Sequence, residues 1–136
     1  MIANIRALLC KWTPWETLVL RELCNALAVE HRQVIEAQLQ AINKIQRIVG
    51  WREIDFYVMR KGCVRWDGVP MLNDTGEFLF AKANTRVGNI VIESELFCIS
   101  GHLFSIESDA PVKPHAFRPD AQVKILDVNK RFTRQS

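Results

Sequence analysis

Between residues 89 and 108, apolar and polar positions alternate in two runs that meet at Ser100-Gly101, with another turn signal, Gly88-Asn89, just before them. A period of two places one side of a strand on a core and the other in solvent. Gly and Asn tolerate the positive φ of tight hairpins, so this stretch predicts the centre of an antiparallel meander. The N-terminal third has a different period. Trp15, Leu18, Val19, Leu23 and Leu27 recur at steps of three and four, and Val34, Ile35, Leu39, Ile42, Ile45 and Val49 continue the apolar face past polar residues 30–33. Thr13-Pro14-Trp15-Glu16 supplies a reciprocal cap and a proline at the first helical position. The pattern predicts one or two helices from Pro14 to a C-terminal cap at Gly50.

Beyond Gly50, residues 53–60 are aromatic and β-branched, and turns at Lys61-Gly62 and Asp67-Gly68 bracket a short strand beginning at Cys63. Pro70 and Asn73-Asp74-Thr75-Gly76 mark a loop, after which residues 77–87 read as a long strand. Pro111, Pro114 and Pro119 remove the backbone donors a sheet interior needs, leaving a loop, a possible edge strand at residues 123–128 and a basic tail expected to fray. Helices first and strands afterwards, without βαβ alternation, predict one α+β domain over the 136 residues. Its parts are an N-terminal segment (1–12), a helical part (13–50), antiparallel strands (51–108) and the proline-containing end (109–136). The helix or helix pair is expected to pack on a meander of roughly four or five strands, an element order similar to the cystatin-like arrangement.

Composition sets limits. At 49% hydrophobic and 24% charged, the chain can form a core and is not globally disordered. A net charge of +3 falls short of the concentrated basic character of a dedicated nucleic-acid binder. The first nine residues form too short an apolar run for a signal peptide, and no apolar run of about 18 residues spans a bilayer. A cytoplasmic protein without membrane contact is the expectation. Cys10, Cys24, Cys63 and Cys98 form no Cys-x-x-Cys pair, so buried thiols are expected, with no metal site and no cofactor.

Three groups of residues are chemically suggestive. His102, beside the Ser100-Gly101 turn, has Glu107 and Asp109 further along the chain; a small hydrolase or isomerase would use it as general base, with Ser100 or Ser105 as nucleophile. Lys44, Arg47, Trp51, Arg52, Phe56, Tyr57, Arg60, Lys61, Arg65 and Trp66 interleave cations with rings, the chemistry that binds RNA or single-stranded DNA, although Glu53, Asp55 and Asp67 interrupt it. Scattered His31, His102 and His115 lack metal-ligand spacing.

Gln38-Leu39-Gln40-Ala41-Ile42-Asn43 with Gln46-Arg47, Met59-Arg60-Lys61-Gly62-Cys63-Val64-Arg65-Trp66 with Gly68-Val69-Pro70, Gly76-Glu77-Phe78, and Gly101-His102-Leu103-Phe104-Ser105-Ile106-Glu107 with Lys113-Pro114 together resemble a family of short bacterial proteins. The resemblance covers residues 37–114 and implies bacterial origin and a small standalone domain; it carries no activity or site residue. With no catalytic residue set assigned, the sequence favours a non-enzymatic protein-binding domain, and among such domains an immunity-type inhibitor of a bacterial toxin. Trp51, Tyr57, Arg60, Arg65, Trp66 and His102 are the expected partner-binding residues. The slight basicity counts against inhibition of a basic nuclease toxin, and an open strand edge leaves a homodimer as a further expectation.

Overall fold

A computed structural model describes residues 11–133. Helices α1 (Pro14–Ala26) and α2 (Val29–Ala41) precede strands β1 (Lys44–Ile48), β2 (Glu53–Tyr57), β3 (Met59–Arg60), β4 (Cys63–Val64), β5 (Glu77–Val87), β6 (Ile90–Ile99), β7 (His102–Ser108) and β8 (Gln122–Val128). Six strands form one antiparallel sheet in the order β1-β2-β7-β6-β5-β8, and β3 and β4 form a separate hairpin. The architecture is α+β, with helix α1 against β8 and α2 against β7. No helix among the described residues is long and apolar enough to cross a membrane.

Local chemistry sets the helix starts and stops. The side chain of Thr13 accepts from the Glu16 amide at 3.2 Å while Glu16 accepts from the Thr13 amide at 3.0 Å, the predicted capping box. Helix α1 buries Trp15, Val19, Leu20 and Leu23, and the Trp15 indole donates to Thr85 of β5 at 2.9 Å. Helix α2 buries Ile35 and Leu39. Between those two residues, fully buried Gln38 (0% exposed) donates to the carbonyls of Pro70 and Gly101 at 2.9 and 3.0 Å and accepts from the Leu103 amide at 2.9 Å. One side chain thus joins α2, the loop after β4 and the β6–β7 turn. Gly101 makes this approach possible: its φ is +86°, and a Cβ there would lie 2.5 Å from the Leu72 carbonyl oxygen.

The helix-facing side of the sheet is one apolar row across five strands: Ile54, Ile106, Leu96, Ala81 and Val128 stand opposite one another in register and are buried. Alternation therefore sends Glu53, Asp55, Glu95 and Glu107 to the other face.

Several expectations are corrected. The helix predicted to reach Gly50 stops at Ala41, and Lys44–Ile48 is an edge strand. Ile42, Ile45 and Val49 fit helical spacing, but Asn43 redirects the chain: its side chain accepts from the Met59 amide at 2.7 Å and donates to the Met59 carbonyl at 2.9 Å. That bridge leaves Ile45 opposite Phe56 and Arg47 opposite Ile54. The main sheet has six strands instead of four or five, because Lys44–Ile48, expected to be helical, adds a strand beside β2, and β8 fills the far edge beside β5. The tail is ordered through Thr133, since the turn Lys130–Phe132 buries Phe132 against the rings of Phe78 and Phe80; residues 134–136 lie outside the described residues. Cys24 and Cys98 are buried as expected, but Cys63, on the two-stranded hairpin outside the main sheet, is exposed. Burial pushes the Cys24 thiol up to about 12. Cys10 and the first nine residues lie outside the described residues.

Candidate functional site

The face of the sheet turned away from the helices concentrates negative charge. Register places Glu53 of β2 opposite Glu107 of β7, Glu107 opposite Glu95 of β6, and Glu95 opposite Lys82 of β5. Three carboxylates thus lie in a cross-strand row that continues through Lys82 to Asp127 of β8. Like charges directly opposite each other destabilise a sheet by a few tenths of a kcal/mol or more. Beside this row Asp109 accepts from the Glu93 amide at 3.0 Å and donates its own amide to the Glu93 carbonyl at 2.9 Å. Glu93, Glu95, Glu107, Asp109 and Lys82, with Leu126 at one end, line a groove of about 290 Å³.

The neighbouring row is Gln46, Asp55, Ser105, Phe97 and Leu79. Asp55 is 4% and Ser105 1% exposed, and neither Oδ1 of Asp55 nor Oγ of Ser105 has a hydrogen-bond partner. Two polar side chains, opposite each other in register, are therefore buried on the acidic face, each with one oxygen unpaired. Loss of water, a proton-mediated hydrogen bond with Glu53 and the charges of Glu53 and Glu107 raise Asp55 from 3.8 to about 7. Glu107 is also raised, by partial burial and by Glu53, Glu95 and Glu77, and Tyr57 by partial burial and the Asp55 and Glu53 charges. The folded state holds the Asp55 proton more tightly than the unfolded chain. Its stabilising contribution is complete below about 3.8 and is lost as pH rises through about 7. Asp55→Asn, which cannot ionise, is expected to be about 1–3 kcal/mol more stable than wild type at pH 8, with the difference shrinking toward pH 4. Urea unfolding at the two pH values measures this; an unchanged pH slope would refute the assignment.

The residues singled out from sequence lie at both ends of β2, on and just after the hairpin that follows it and, for His102, at the start of β7. Trp51 lies in the β1–β2 turn with φ +68°, its ring 5.1 Å from the Arg47 guanidinium. Tyr57, at the other end of β2, has its hydroxyl 3.3 Å from Gln46 Oε1 and Lys44 above its ring at 6.0 Å. Arg60 of β3 and Arg65 just after β4 are exposed, and Arg60 donates to the Asp67 carbonyl at 2.8 Å. Trp66 and His102 meet as a parallel stack, ring centroids 3.7 Å apart. His102 is 9% exposed, its Nδ1 lies 3.1 Å from the Leu103 carbonyl, and burial lowers its pKa. Glu107 belongs to the acidic row, and Asp109 is engaged with Glu93. Arg47, one cation of the mixed basic and aromatic stretch, faces inward and holds buried Glu16.

No group of three or more His, Cys, Asp or Glu side chains able to hold a metal ion occurs among the described residues. Searches against family models, curated proteins and solved structures found no match. The acidic face, missed by the sequence reading as a unit, has a visible local trace: Glu53-x-Asp55, Glu93-x-Glu95 and Glu107-x-Asp109 each repeat acids at the strand period. Their alignment across strands is set by register, which sequence does not display.

Proposed function

We propose that this chain is a non-enzymatic protein-binding domain of the immunity-inhibitor kind, acting by occlusion, with the outer sheet face as its docking surface. The observation that carries this reading is the Glu53–Glu107–Glu95 row beside an acidic groove on a chain of net charge +3. The objection from overall basicity loses its force, because complementarity acts between patches and not between net charges. Repulsion within the row weakens the free protein, and a cationic partner relieves it on binding. The face also disfavours a phosphate backbone, while the cations of the basic and aromatic stretch include Arg47, already committed to Glu16.

The test is growth rescue. The protein encoded by the adjacent gene is expressed with and without this chain. The wild type is expected to restore growth, and a Glu53→Gln, Glu95→Gln, Glu107→Gln triple variant, folded as judged by its unfolding curve, to lose at least tenfold of that protection. Equal rescue by the triple variant, or an adjacent product that does not arrest growth, overturns the reading.

A further inference from the structure

We propose that the seam between β2 and β7 is a proton-gated joint, closed while Asp55 carries a proton and loosened, with water admitted between the two strands, when Asp55 is a carboxylate. Such a joint is a property of the free chain and needs no docking partner.

The seam is short and poorly matched. Strand β2 pairs with β7 at three positions, Glu53 with Glu107, Ile54 with Ile106 and Asp55 with Ser105, whereas β5 and β6 pair at ten, so the sheet is most easily parted at β2–β7. At one end the Arg52 carbonyl accepts from the Ser108 amide at 2.7 Å. At the other, β7 leaves regular register: Phe97 stands opposite Ser105 and Cys98 opposite Leu103, with Phe104 the extra residue. Alternation from the Ser108 bond puts Ile54 and Ile106 at a hydrogen-bonded position and the other two pairs at non-hydrogen-bonded positions, where facing side chains come closest. Those two pairs are the unfavourable ones. Glu53 faces Glu107, and Asp55 faces Ser105, each of the latter two holding a buried oxygen without a partner. The β1–β2 hairpin has a second attachment, Arg47 of β1 to Glu16 of α1, so the seam can loosen while the hairpin stays on the body.

Protonation decides which state is favoured. The titratable and charged groups around Asp55 are Glu53 and Tyr57 on β2, Glu107 on β7 and Lys44 on β1, with Glu95 on β6 and Lys82 on β5 further along the Glu53 row. A sealed carboxylate lacks the donors that water would give it, and opening the seam supplies them. Burial, followed by the hydrogen bond and charge of Glu53 and the charge of Glu107, raises the Asp55 carboxyl to about 7. Its value in the closed seam lies above that in the opened one, so the stabilisation is complete below about 3.8 and is lost as pH rises through about 7.

The experiment is amide hydrogen exchange on the full chain at pH 6 and pH 8, with rates corrected for the intrinsic pH dependence of exchange, beside an NMR titration of the Asp55 carboxyl carbon. The amides of Ile54, Ile106 and Ser108 are expected to exchange faster than those of β5 and β6 at both pH values, through openings that low urea leaves unchanged. Their protection should fall about tenfold from pH 6 to pH 8. Asp55→Asn should hold seam protection constant over that range, and Glu53→Gln should keep the fall but move its midpoint to lower pH. Equal protection of the seam and of β5 and β6 at both pH values would mean that the strands part only in global unfolding, and overturns the joint. A fall that persists in Asp55→Asn overturns it too. An Asp55 carboxyl that titrates at the ordinary value of about 4 overturns it whether or not the variants fold.

Discussion

Arg47→Ala is expected to lower the unfolding free energy by about 3–5 kcal/mol, the cost of leaving one member of a buried ion pair alone. Glu16 is fully buried (0% exposed), and Arg47 reaches it through Nε to Oε2 and Nη2 to Oε1, both at 2.7 Å. The bonds to Glu16 push the guanidinium above its ordinary value. Arg47 also donates to the Lys11 carbonyl at 3.3 Å, and Glu16 closes the cap on α1, so the pair fastens the first helix to edge strand β1. A domain of this size has roughly 5–15 kcal/mol in total, so a loss of that magnitude takes away about a fifth or more of it. The double variant Glu16→Gln, Arg47→Met keeps a neutral cap and removes the stranded charge. It should recover at least half of the loss. Urea unfolding of the two variants beside the wild type decides; a single variant within 1 kcal/mol of wild type would show that water reaches Glu16 and that the pair is not buried in solution.

Gln38→Leu is expected to cost about 2–4 kcal/mol despite its gain in apolarity, because it orphans the Leu103 amide and the Pro70 carbonyl. The Gly101 carbonyl keeps a second donor, the Leu72 amide at 2.8 Å, and adds less. Gln38→Glu is the sharper variant. A carboxylate can still accept from Leu103 but turns an acceptor toward the carbonyls of Pro70 and Gly101, so it should be worse than Leu at pH 8 and recover toward pH 5 as the carboxyl takes up a proton and donates again. Hydrogen exchange at Leu103 supplies an independent readout, with protection falling in Gln38→Leu and largely kept in Gln38→Glu at low pH. Uniform loss of protection across the sheet, with Leu103 no different from its neighbours, would show that the clamp acts only through global stability.

The two clamps explain why the sequence was legible in some places and not others. The capping box at Thr13 and Glu16, the strand Glu77–Val87 and the Ser100-Gly101 hairpin were readable because each is decided within a few residues. The end of the helical region was not. Ile42, Ile45 and Val49 satisfy a helical spacing and lie on a strand edge, and the decision came from Asn43 binding Met59, a partner 16 positions away. The candidate site fails to show for the same reason. Glu107 and Asp109 stood out as possible supports for His102, yet His102 stacks on Trp66, while Glu107 aligns with Glu53 and Glu95 on other strands.

By itself the sequence determined the class of this protein: two periods of hydrophobic placement, helical then alternating, require helices packed on an antiparallel sheet, because no other arrangement buries both patterns at once. Tertiary structure alone decided the strand order, the inward turn of Arg47 to Glu16, and the gathering of acids onto one face. Each depends on which residues stand opposite one another across strands far apart in the chain, and a one-residue change of register would send every one of those carboxylates into the core.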